Sequence, residues 1–170
     1  VGLGTAMTYS RRLASVGLAV TNVIYTIPSI ALFGSLIFVT GIGNTSAIIA
    51  ISAYGMLPLI RNTYVGLREV NAGVIEAAVG MGSTPLQLLL RIRLPLALPV
   101  MIAGFRTAVV MTIALGGIAS FIGAGGLGKP VFQGLNSLKI GMATVGGLSI
   151  VLMAMVLDRI TQGMGKGDYG

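Results

Sequence analysis

Side chains able to do acid–base or metal chemistry are scarce in this chain. Its acids are Glu69, Glu76, Asp158 and Asp168, and it has no histidine and no cysteine. Without them there is no disulfide framework, no thiolate nucleophile and no common zinc site, and no side chain whose unperturbed pKa lies near neutrality. The four acids lie outside the strongly apolar stretches, so neither a proton relay nor a two-carboxylate hydrolysis has its parts. There is no Gly-x-x-x-x-Gly-Lys-Ser/Thr loop, so any ATP hydrolysis belongs to another chain. Gly123-x-Gly125-x-x-Gly128 has the letters of a dinucleotide fingerprint. The fingerprint needs a preceding strand and an acid about twenty residues on, whereas an apolar helix precedes this run and the next acid is Asp158. It reads as a glycine-rich turn between helices.

What remains is a mechanical motif. Glu76-Ala77-Ala78 is followed by Gly82, then Ser83-Thr84-Pro85, and later by Ile92-Arg93-Leu94-Pro95. Alone, Glu76 is an ordinary surface acid. In this spacing, Ala77 and Ala78 let a partner surface approach a helix without bulk and Gly82 stops that helix. Thr84 and Pro85 start the next one, a hydroxyl cap followed by proline at the first helical position. A helix–turn–helix of this kind is a lever that passes a displacement to whatever flanks it.

The flanking elements are set by composition. Apolar residues make up 55% of the chain and charged residues 9%, with a mean hydropathy of +0.96, far from the roughly one-quarter charged of soluble domains. No charge falls in the 48 residues between Arg12 and Arg61, more than twice the roughly 20 residues that cross a bilayer. The expected spans are residues 13–40, a tilted or Pro28-kinked helix, then 46–64, 95–122 and 140–157. Residues 1–10 read as the end of an incomplete first helix. Residues 67–94 form a polar loop with Asn71 as N-cap, Pro95 and Pro99 bend the chain where it re-enters lipid, and 131–138 form a short surface helix. The polar tail from Lys166 suits a terminus or a linker.

Charge sets the orientation. Arg11, Arg12, Arg61, Arg68, Arg91, Arg93, Arg159 and Lys166 fall on one side, with only Lys129 and Lys139 on the other. By the positive-inside rule the Glu76 loop is cytoplasmic. The net charge of +7 therefore reflects topology and not a nucleic-acid partner. Arg106 lies within a span, where it either snorkels to an interface or faces inward to pair with carbonyls or line a path. Arg61 and Asn62 lie at the cytoplasmic mouth beside Pro58. Tyr25, Phe33, Tyr54 and Phe121 could offer ring faces to a quaternary cation; packing against neighbours or lipid explains such aromatics equally.

The run from Glu76 to Pro95 resembles the EAA loop of ABC importer permeases. Three more segments are similar to the osmoprotectant permeases for glycine betaine, choline, carnitine and related compounds. These are Tyr25-Thr-Ile-Pro28-Ser-Ile-Ala-Leu, Leu57-Pro-Leu-Ile-Arg61-Asn62-Thr63-Tyr64-Val-Gly66-Leu, and Phe121-Ile-Gly-Ala-Gly-Gly-Leu-Gly128 with Val131-Phe-Gln-Gly134-Leu. The resemblance implies an all-α polytopic transmembrane bundle of the type I importer permease fold, one permease domain over residues 1–170, in a bacterial plasma (inner) membrane. It implies a second permease subunit, identical or closely related, two ABC ATPase subunits that bind ATP and Mg, and a substrate-binding protein or fused binding domain. Glu76, Ala77, Ala78, Gly82, Ser83, Thr84 and Pro85 would dock on the ATPase, and Tyr25, Pro28, Arg61, Asn62, Arg106 and Phe121 are the path candidates. The cargo implied is a quaternary-ammonium or betaine-like osmoprotectant, with another small zwitterion or a thione such as ergothioneine as the alternative. A channel or a structural membrane subunit is the rival class.

Overall fold

Ser10, Pro28 and the Gly41–Gly43 turn divide the N-terminal part of the chain. In the computed structural model, which describes residues 2–166, helix α1 (Gly2–Tyr9) stops at Ser10. Ser10 caps helix α2 (Arg11–Thr26) by accepting from the Leu13 amide at 3.5 Å. Pro28 has no amide to donate and disfavours helical geometry at Ile27. Helix α2 therefore ends there, and α3 (Ser29–Thr40) leaves at 96° to it. This corrects the reading of 13–40 as one tilted or kinked helix: two helices meet almost at a right angle. A carbonyl freed at such a break is costly in lipid, and the Tyr54 hydroxyl donates to that of Ile27.

Helix α4 (Asn44–Arg68) is central, with α1, α2, α3 and α7 packed around it. Ala47, Ala50, Tyr54, Leu57, Thr63 and Leu67 are all buried. A helix sheathed by protein can carry polar residues, and α4 holds Asn44, Ser46, Ser52, Asn62 and Thr63. It contains the expected span 46–64 but is not among the helices apolar enough to cross a membrane by composition alone. Those, among the described residues, are Pro85–Ile122 (38 residues) and Ile140–Gly163 (24 residues), with α2 and α3 a third if the bent pair is one span.

After α5 (Ala72–Gly80) the chain runs through α6 (Pro85–Gln87), a π-helical turn (Leu88–Arg93), α7 (Leu94–Ile118) and a 3-10 turn (Ala119–Ile122). Pro95 and Pro99, where the sequence puts a bend, lie within one helical run from Pro85 to Ile122. The Leu94 amide reaches back five residues to the Leu89 carbonyl. This widened turn accommodates a proline that would otherwise clash with the carbonyl four residues earlier. Small residues let α7 approach α4: a Cβ on Gly104 would lie 2.5 Å from the Asn62 Cβ, the close approach on which helix pairs in membranes rely.

Helix α8 (Gly128–Asn136) starts and stops earlier than the sequence places it, and Leu138, at φ 53°, turns the chain into α9 (Ile140–Lys166). Gly134 abuts the backbone of Ala143 and Gly128 that of Gly117, so two glycines of the turn region serve close packing. Helix α9 continues past the expected end at Leu157. The polar tail beyond Lys166, with Asp168, lies outside the described residues. Along α9, Val145, Leu148, Val151 and Leu152 are exposed, as a lipid-facing surface requires.

The candidate coupling hairpin and transport path

The hairpin is built from two back-to-back caps. Asn71 starts α5 by accepting from the Gly73 amide at 2.8 Å. At its other end, the Gly82 amide donates to Val79 at 2.9 Å and the Ser83 amide to Ala78 at 3.1 Å, the paired bonds of a Schellman stop. That motif needs a left-handed residue, and Gly82 has φ 82°. Two residues later Thr84 forms a capping box: it accepts from the Gln87 amide at 3.3 Å, while its own amide donates to Gln87 Oε1 at 2.9 Å. Pro85 follows at the first helical position. The orphan backbone groups on both sides of the turn are thereby held.

Orientation separates the two alanines. Glu76 and Ala77 are exposed, whereas Ala78 is 1% exposed and faces its own chain. Val74, Val79, Met81 and Leu86 are exposed, Met81 to 80%. The hairpin thus exposes four large apolar side chains along with the Glu76 carboxylate. Because α6 runs without a break into α7, a displacement of the hairpin moves the helix that packs against α4.

Arg106 finds its partner on another helix. Its Nε and Nη2 donate to the two carboxylate oxygens of Asp158, Nη2 at 2.7 Å, and Gln162 donates to the same carboxylate at 3.0 Å. This bidentate fork clips α7 to α9. Sequence reading assigned Asp158 to the exit of the last span; the signal for the pair was one acid beside an apolar run and one arginine inside another.

The path candidates do not converge on one cage. Phe33 is 0% exposed and Tyr54 3%, so both are core, and Phe121 packs edge-on to Phe132 with ring centroids 5.0 Å apart. Tyr25 stays exposed, with its hydroxyl 4.0 Å from Met111 Sδ, at the break made by Pro28. Arg61 is exposed; Asn62 donates to the Pro58 carbonyl at 2.9 Å and packs on Gly104. The Tyr54–Ile27 bond was not foreseen, since residues 27 positions apart have no local signal.

Long apolar helices, with α4 sheathed by its neighbours and a capped two-helix hairpin between α4 and α7, define an integral membrane protein. Residues 1–166 match the model of the binding-protein-dependent transport system inner membrane component family, and the chain belongs to that family. It is 38% identical to the choline transport system permease protein OpuBB of Bacillus subtilis (strain 168), over 94% of this chain and 74% of OpuBB. It is 41% identical to the ergothioneine transport permease/ergothioneine binding protein EgtU of Helicobacter pylori (strain G27), over 92% of this chain but only 28% of EgtU. With the glycine betaine/proline betaine permease ProW of Escherichia coli (strain K12) the identity is 35%, over 96% of this chain and 46% of ProW. In three dimensions it is similar to an inward-facing structure of the MetNI methionine ABC transporter, with a TM-score of 0.71, 24% identity, and 94% of this chain and 73% of that one covered. The chain is thus an inner-membrane transport subunit with the type I importer permease fold, and not an enzyme.

Proposed function

We propose that this chain is the permease of an ATP-driven importer for a quaternary-ammonium or betaine-like osmoprotectant, moving cargo inward by alternating access. The hairpin carries this reading: a twice-capped turn with exposed Glu76, Ala77 and Met81 is rigidly continuous with the long helix Pro85–Ile122. ATP, with Mg, closes a dimer of separate ATPase subunits. The hairpin moves with it, and Glu76 to Pro85 carry α7 relative to α4. A second permease subunit completes the path and a binding protein or fused binding domain delivers cargo. Tyr25, Pro28, Arg61, Asn62 and Phe121 line the path in this scheme, while Arg106 positions α7 against α9. The cargo class is supported by relatives named for choline, glycine betaine, proline betaine and carnitine. The EgtU relative favours a second reading in which the cargo is the thione ergothioneine.

The test is purification from the native membrane in mild detergent with identification of bound chains, beside Glu76→Lys, followed by uptake of labelled choline, glycine betaine and ergothioneine. Retention of an ATPase by the wild type and its loss from the variant is the expected result. Recovery of intact protein with no ATPase would make a channel or structural subunit the better account.

A further inference from the structure

Three arginines from three elements face one cavity. It has a volume of about 630 Å³ and brings together Arg11 of α2, Arg68 of α4 and Arg93 of the π-helical turn. Thr8, Ser15 and Tyr64 add hydroxyls, and no acid lines it. Among the described residues none of the three arginines has an ion-pair partner. Arg68 donates to the Tyr64 oxygen at 2.9 Å, which leaves the phenol proton free to donate. Arg93 Nε is buried without a hydrogen-bond partner, so the chain itself leaves this guanidinium short of acceptors. Arg11 and Arg12 also open the 16-residue helix α2, placing positive charge at the positive end of its dipole. All of this calls for an anion.

Next to the cavity, and sharing Met7 with it, is an apolar groove of about 420 Å³ among α1, α2 and α4, walled by Leu3, Val16, Val20, Met56 and Ile60. A cationic pocket at the end of an apolar groove has the polarity of a phospholipid. We propose that Arg11, Arg68 and Arg93 hold the phosphate of an anionic phospholipid whose acyl chain lies in this groove. A free phosphate shares the headgroup chemistry but leaves the groove empty; the groove selects the lipid. Ile75 of α5 lines the same cavity, so the bound headgroup braces the hairpin against α2 and α4. The site depends on the chain lying in a bilayer, and not on which cargo it carries or whether Glu76 docks an ATPase.

The test uses the whole transporter with its partners, reconstituted in vesicles of equal parts phosphatidylcholine and phosphatidylglycerol, then re-extracted for native mass spectrometry of retained lipid. Phosphatidylglycerol is retained over phosphatidylcholine. Arg11→Gln and Arg93→Gln each lower that retention about fivefold, the worth of one basic side chain at an anionic surface. Arg91→Gln, which removes a charge outside the cavity, leaves it unchanged, and Val20→Trp, which fills the groove, lowers it without altering charge. Equal retention of the two lipids by the wild type overturns the proposal without recourse to any variant. So does an Arg91→Gln effect as large as that of Arg93→Gln. Displacement of the lipid by inorganic phosphate assigns the pocket to a soluble anion, and crosslinks from it to an acidic ATPase segment assign it to protein; either result overturns the lipid assignment.

Discussion

Gly82 offers a clean test of whether the hairpin works as a rigid lever. Its φ of 82° is left-handed, and a Cβ added there meets nothing within 4 Å. Crowding therefore does not enter, and Gly82→Ala costs about 1–2 kcal/mol of backbone strain alone. Asn tolerates this conformation better than Ala, and a β-branched Val tolerates it worse. The order of damage is Asn, Ala, Val, which is not the order of side-chain volume. A cost of that size raises the local opening equilibrium about 5- to 30-fold. Native-state hydrogen exchange on the reconstituted transporter reads it at the Gly82 and Ser83 amides, the donors to Val79 and Ala78, after correction for intrinsic rates. Amides in α9 serve as the internal control. Cargo moved per ATP falls in the same order, because a loosened turn absorbs motion that should reach α7. If Gly82→Val leaves the Ser83 amide as protected as in the wild type, or if Asn is as damaging as Val, backbone conformation does not set the turn and the lever argument fails.

Tyr54→Phe removes the donor to the Ile27 carbonyl at the α2–α3 break and destabilises the protein by about 1–3 kcal/mol, read as a lower unfolding midpoint in detergent. Gly104→Leu pushes α7 away from Asn62 and abolishes recovery of monodisperse protein, whereas Gly104→Ala is folded but less stable by about 1–3 kcal/mol; size-exclusion profiles and melting curves separate the two. Asp158→Ala strands Arg106 and loosens α9 from α7, seen as faster exchange in both helices. The charge swap Arg106→Asp with Asp158→Arg restores protection if the pair itself is what matters.

Much of the hairpin is legible because capping is local chemistry. Asn71, Gly82, Thr84 and Pro85 each act within a few residues of themselves, so their types announce helix starts and stops in any surroundings. Pro28 announces a kink but not a full break, since Pro58 and Pro99 sit inside continuous helices, and nothing near it states the 96° angle. That angle depends on how α3 packs on α4 and on Tyr54 reaching across to Ile27. At Pro95 the helix continues because a π-helical turn accommodates the proline, which no residue near it announces.

By itself, the sequence determined that the chain is helical and lies in a bilayer, that its basic end carries a capped two-helix hairpin, and that it offers no histidine or cysteine for acid–base, thiolate or zinc chemistry. Those conclusions rest on composition, charge placement and local backbone rules, which need no knowledge of neighbours in space. Tertiary structure decided that Arg106 meets Asp158, that Ala78 turns inward while Ala77 turns outward, that Phe33 and Tyr54 are core, and that Arg11, Arg68 and Arg93 share a cavity. Each depends on helix rotation and crossing, which are set by packing among side chains far apart in the chain, and no spacing of residues along one helix encodes which face of another it will meet.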